Sequence, residues 1–144
     1  MTVSRLRLSM ACCEYDRTRA LIEDRIPIDG IELTCLGLPV EEVFFRMLRH
    51  REFDVAEMSL SSYMLSLFTE PPPFIAIPVF PSRVFRHSCI FVNRHRRIRE
   101  PEDLQSKRVG IPEYQMTASV WIRGLMSDEY GVPVESVSYF TGGL

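Results

Sequence analysis

Arg83, Arg86 and His87 fall within five residues of one another in the stretch Pro78-Val79-Phe80-Pro81-Ser82-Arg83-Val84-Phe85-Arg86-His87-Ser88. A guanidinium is the side chain best shaped to hold a carboxylate through two parallel hydrogen bonds. Imidazole is the group whose proton moves near neutral pH. Pro78 and Pro81 fix φ and withhold two backbone donors, so the stretch suits neither a helix nor a central strand. A stiffened, irregular crossing with this set of side chains reads as a site for a small anion. The alternative is a solvated charge cluster on a loop. If the run is extended, Arg83 and His87 share a face; if it turns helically, Arg83 and Arg86 do.

Other candidates stand where strands give way to helices. Ser59, Ser61 and Ser62 open a helix after an apolar run, and Thr117 opens another. Such hydroxyls usually cap the helix, and they can also offer donors to an anion at its positive end. No metal centre is expected, because His50, His87 and His95 have no ligand spacing.

The chain has 144 residues, 46% hydrophobic and 25% charged, with a formal net charge of −2. That composition is ordinary for a globular protein and argues against a nucleic-acid partner. The basic run Arg94-His95-Arg96-Arg97 is expected to solvate a loop. Cys12, Cys13, Cys35 and Cys89 include no CxxC pair, so neither a zinc knuckle nor a disulfide framework is indicated. No apolar run approaches the about 20 residues of a membrane span, and none near the start has signal-peptide character. The expectation is a reduced, cytoplasmic protein with no membrane partner; a homo-oligomer is left open.

These residues must be positioned by alternating elements. Strands are expected at Arg5–Ala11, Ile31–Leu36, Phe53–Met58, Phe74–Phe80, Cys89–Asn93, Arg108–Pro112 (short and buried) and Val137–Phe140. A short helix through Ile22 is expected with Asp16 as its cap. A turn at Pro27–Gly30 places Gly30 where φ is positive. Val40, Val43, Phe44, Met47 and Leu48 fall on one helical face after Pro39, with Glu41 and Glu42 in the first turn. Further helices are expected from Ser59 to before Pro71 and from Thr117, as cap, to Tyr130, with Gly131 as a left-handed stop. Pro101–Leu104 is a tight helical turn. The alternation predicts an α/β fold with mainly parallel sheets.

The runs Tyr15–Leu21, Phe53–Tyr63, Pro78–Ser88 and Val109–Ala118, with Trp121 beyond, resemble the 4,5-dihydroxyphthalate decarboxylase family. That resemblance implies a type 2 periplasmic-binding-protein-like fold, two α/β lobes with a ligand cleft. Members are much longer, so the chain is expected to be an N-terminal part: lobe one at 1–82 and a truncated start of lobe two at 83–144. By itself it is expected to bind poorly and turn over little. Cys12-Cys13-Glu14 replaces a glycine of the family's first loop.

The implied reaction is non-oxidative loss of one carboxylate from 4,5-dihydroxyphthalate, giving protocatechuate and carbon dioxide, with no cofactor. The small aromatic dicarboxylate would be held by Arg17, Arg83 and Arg86, helped by Ser59, Ser61, Ser62, Gln115, Thr117 and Ala118. Protonating the ring carbon needs an acid, for which His87 is first choice. The phenol side needs a base or acceptor, Glu57 or Tyr15. Glu57 follows a strand, where desolvation would favour its neutral form. Its bland alternative is a capping or ion-paired carboxylate. Two other functions compete: a non-catalytic solute-binding protein of the same fold, and another cytoplasmic enzyme of that fold.

Overall fold

The computed structural model describes residues 4–142; residues 1–3 and 143–144, which belong to the two expected lobes, lie outside the described residues. The chain forms two compact units. Unit 1 comprises the residues up to Ser59 together with Ala76–Ser82, and unit 2 comprises Leu60–Ile75 and the residues from Arg83 onward.

Unit 1 is built on a parallel sheet of β1 (Leu6–Cys12), β2 (Ile31–Gly37) and β3 (Val55–Ala56), in the order β2-β1-β3. As the central strand, β1 ends on the fully buried Ala11 and Cys12. Parallel strands need long crossovers. The first carries the one-turn helix α1 (Arg19–Ile22), and the second carries α2 (Val40–His50). The apolar face of α2 turns inward as its spacing predicts, burying Val43 and Met47. Glu41 and Glu42 occupy its first turn and Arg49 and His50 its last, each matching the helix dipole. Gly30 has φ of 73° at the turn into β2, the left-handed value expected of it.

Two expectations in this unit are corrected. Asp16 is not the cap of α1. Thr18 holds that position, and Asp16 accepts the Arg17 amide at 2.9 Å. The third strand is also shorter than Phe53–Met58. Asp54 uses its carboxylate instead, accepting the Ser9 amide at 2.7 Å and the Ser9 hydroxyl at 2.8 Å. That staple fixes β1 beside the start of β3 and holds the Asp54 carboxyl below its usual range.

Unit 2 contains α3 (Leu60–Ser66), β4 (Arg108–Ile111), α4 (Thr117–Tyr130) and β5 (Ser138–Thr141). Strands β4 and β5 pair in parallel from Arg108↔Ser138 to Ile111↔Thr141, α4 forming the crossover. Met126, Val132 and Val137 form the buried core, with Ile90, Leu104, Val109 and Ile122 packed on it. Gly131 ends α4 with φ of 61°. Pro101–Leu104 is a 3₁₀ turn closed by a reciprocal Glu100–Asp103 capping box. The expectation of a buried β4 is corrected: its residues alternate between exposed and half-buried. A two-stranded sheet covers each strand too little to bury both faces.

The strands expected at Phe74–Phe80 and Cys89–Asn93 do not form. Phe74–Phe80 is irregular, and Cys89 ends a 3₁₀ turn, His87–Cys89. A helix closes its own hydrogen bonds, whereas a strand exists only where another strand pairs with it. Neither run has a ladder partner among the described residues. The α/β class and the parallel sheets are otherwise as predicted. No helix among the described residues is long and apolar enough to cross a membrane.

Candidate active site

In unit 1 the chemistry gathers at the C-terminal ends of β1 and β3, the end of parallel sheets at which ligands bind in open α/β folds. The Glu57 amide donates to the Ala11 carbonyl at 3.0 Å, extending the β1–β3 ladder by one bond. This fixes the Glu57 backbone and directs its buried side chain at the loop leaving β1. There Glu57 Oε1 accepts the Tyr15 hydroxyl at 2.8 Å, and Oε2 accepts the Cys13 amide at 3.1 Å. Each carboxylate oxygen therefore has a donor, and the group is held in one orientation. Burial, followed by the Glu57 carboxylate, pushes the Tyr15 phenol above its ordinary value. The phenol accordingly stays protonated and donates at neutral pH.

The loop that presents Tyr15 is held from within. The buried Thr18 hydroxyl accepts the Tyr15 amide at 2.9 Å and donates to the Cys13 carbonyl at 2.9 Å. Arg17 lies on the outer side with its guanidinium 4.5 Å from the Tyr15 ring centre, Nη1 3.1 Å from Asp16 and Nε donating to the Pro81 carbonyl. Ser82 hydrogen-bonds Tyr15 as well. Pro81 and Ser82 thus join this group. Burial pushes the Cys12 thiol up to about 11 and raises Cys35 too, so neither is a thiolate nucleophile at neutral pH.

Unit 2 holds a second group around the start of α4. Thr117 was expected to cap this helix; instead Met116 is the cap residue and supplies no side-chain bond. The Thr117 hydroxyl accepts the Ser61 amide at 3.1 Å and lies 3.2 Å from the Ser61 hydroxyl, which donates to the Gln115 carbonyl. Helix α3 is stapled in this way to the loop before α4, and Ser62 is buried on α3. Gln115 Nε2 donates to Glu113 at 3.0 Å, and Ala118 is half-buried in the first turn of α4. Ser59, buried, belongs to unit 1.

Arg83 is exposed, and Arg86 is half-buried just before the 3₁₀ turn. His87 opens that turn, exposed, with Nε2 3.4 Å from Glu129 on α4. His95 is exposed, and His50 packs edge-on against Phe45. Among the described residues no three His, Cys, Asp or Glu side chains gather as a metal site.

Sequence reasoning brought Tyr15 and Glu57 forward separately; their contact depends on the β1–β3 pairing. It missed the Cys13 amide, which no side-chain pattern reveals. It also missed Arg123, a buried cation on α4 with Nη1 unpartnered and the Tyr114 ring centre 3.7 Å away. The available signal was a lone charge inside the apolar run Val120-Trp121-Ile122-Arg123-Gly124-Leu125-Met126.

Comparison with known proteins bears out the resemblance carried by the motif runs. A Comamonas testosteroni protein named 4,5-dihydroxyphthalate decarboxylase is 45% identical over 141 residues, covering 98% of this chain and 43% of that protein. A Pseudomonas putida protein of the same name is 41% identical over 141 residues, covering 98% of this chain and 55% of that protein. The chain therefore spans about half the length of the curated relatives it matches. No protein-family model matches it.

Proposed function

Proceeding from that likeness, we propose that the chain carries part of a carboxy-lyase that converts 4,5-dihydroxyphthalate to protocatechuate and carbon dioxide. The observation that carries the proposal is the buried Glu57, oriented by the Tyr15 hydroxyl and the Cys13 amide at the C-terminal end of a parallel sheet. It is a fixed acceptor beside a protonated phenol. Each carboxylate of the substrate has a hydroxyl para to it. As the Glu57–Tyr15 pair draws the proton from that hydroxyl, electron density moves to the carbon bearing the para carboxylate. A proton adds there, giving a dienone. The bond to the carboxylate then breaks, carbon dioxide leaves, its bonding electrons restore the aromatic ring, and the phenol is reprotonated. One proton is taken up for each carbon dioxide released, and no oxidant is needed.

His87 is the proposed proton donor to carbon. Arg17, Arg83 and Arg86 are the proposed cations for the two mutually repelling carboxylates, with Ser59, Ser61, Ser62, Gln115, Thr117 and Ala118 as polar contacts. The proposed fold is the type 2 periplasmic-binding-protein-like arrangement, divided at residues 82 and 83. The parallel sheet in each unit and the chain's passage from unit 1 to unit 2 after Ser82 support it, while Leu60–Ile75, on the lobe-one side of that division, groups with unit 2.

The test replaces the matching 141 residues of the Comamonas testosteroni relative with this chain and assays the hybrid. Glu57→Gln is expected to lower kcat about 100-fold or more, the usual worth of a positioned acid or base. His87→Gln should lower kcat about as much while phthalate binding is kept. A folded hybrid whose turnover is untouched by Glu57→Gln contradicts the proposed role.

A further inference from the structure

Arg123 is 8% exposed, yet its Nη1 has no hydrogen-bond partner. A guanidinium carries five N–H donors and no acceptor, and burying it without an acid is unfavourable. The rings beside it compensate only in part. Tyr114 lies 3.7 Å and Tyr139 5.7 Å from the guanidinium carbon, centre to centre. Ring faces attract a cation but give its in-plane N–H groups no acceptor. No ion pair to Arg123 is found among the described residues. Glu113, the acid on the adjoining loop, engages Gln115 instead, and the acids of α4, Asp128 and Glu129, lie in its last turn.

The direction of the side chain matters as much. Helical side chains lean toward the N-terminus of their helix. Arg123 is the seventh residue of α4, and its guanidinium packs on the ring of Tyr114, three residues before the helix begins. The unpartnered cation and the positive end of the fourteen-residue helix that carries it both favour an anion.

We propose that Arg123 is the carboxylate anchor of unit 2, taking one carboxylate of an aromatic dicarboxylate through its guanidinium edge, with Tyr114 as the cover the ligand displaces. Tyr114 is 48% exposed, so its ring has room to swing aside. The incoming carboxylate lies in the guanidinium plane and supplies the missing acceptor. This assignment rests on the proposed substrate class and extends it to a residue outside the motif runs.

The experiment is a phthalate titration of the hybrid protein labelled with nitrogen-15 arginine, with Arg123→Lys assigning the Arg123 Nε signal. A saturable shift of that signal is expected with phthalate and not with benzyl alcohol or with sodium chloride of equal ionic strength. Arg123→Gln should weaken phthalate binding about tenfold or more, with Arg123→Lys restoring it only in part because an ammonium cannot bind bidentately. Tyr114→Leu should leave binding equal or tighter. An Arg123 signal that stays still, whether other arginines shift or none does, overturns the proposal, and that reading on the unmutated hybrid does not depend on any variant folding. Phthalate is not decarboxylated in this test, so an Arg123 shift together with an inert hybrid would overturn the reaction and leave the anchor standing.

Discussion

Glu57 and Tyr15 show how one contact fixes the state of both partners. Burial and then the Glu57 carboxylate hold the proton on the Tyr15 phenol, and the phenol with the Cys13 amide keeps the carboxylate in place. Tyr15→Phe removes one of those donors and is expected to destabilise the chain by about 1 kcal/mol in urea unfolding. The pH profile should change with it. The folded Tyr15 phenol binds its proton more tightly than the unfolded one, whose ordinary value is 10.0. The stability it contributes is therefore complete below that value and lost as pH rises beyond it. Tyr15→Phe should flatten the alkaline fall, and an unchanged slope would remove Tyr15 from it. Cys12 gives an independent check. With its thiol pushed up to about 11, it should resist a thiol reagent at mildly alkaline pH while the exposed Cys89 reacts. Peptide mapping of the labelled chain would decide, and early modification of Cys12 would contradict its burial.

Among the elements, the longer helices were legible from their own periodicity, and the strands at Leu6–Cys12, Ile31–Gly37, Arg108–Ile111 and Ser138–Thr141 formed within a residue of where their sequence runs placed them. The helix expected from Val40 runs Val40–His50, and the one from Thr117 to Tyr130 has those limits, stopped at Gly131. Helical periodicity and stop signals lie within the element itself. Phe74–Phe80 and Cys89–Asn93 have strand composition, but pairing is set by distant chain, which local pattern does not encode. The candidate site divides the same way. Glu57, Tyr15 and Arg17 were legible as residue types, while their geometry depends on the register of β1 against β3. The unpartnered edge of Arg123 depends on how α4 meets Tyr114. The Ser9–Asp54 staple is testable at this scale. Asp54 is held below its usual 3.8 by the Ser9 donors, so its contribution is present above 3.8 and lost as pH falls through the lower folded value. Ser9→Ala should flatten the acid side of the stability profile, which unfolding followed by circular dichroism would reveal. Val43, fully buried on α2, is the corresponding packing test. Val43→Ala should cost about 2 kcal/mol in the same unfolding experiment.

At the scale of the whole molecule, the chain spans about half the length of the relatives it matches, and its surface carries unusual apolar exposure. Ile75 is 94% exposed and Phe68, Phe85 and Phe91 are each 88% exposed, all in unit 2. Scattered surface hydrophobics are normal, but side chains this large and this open favour association. The isolated chain is expected to sediment with a mass that rises with concentration, and Ile75→Ser with Phe91→Ser should suppress the rise. The decarboxylase account is tested most directly by giving the hybrid protein 4,5-dihydroxyphthalate in deuterium oxide. It predicts protocatechuate and carbon dioxide in equal amounts, with one deuterium on the ring carbon that lost its carboxylate. A folded hybrid that binds phthalate and returns the dicarboxylate intact would contradict it.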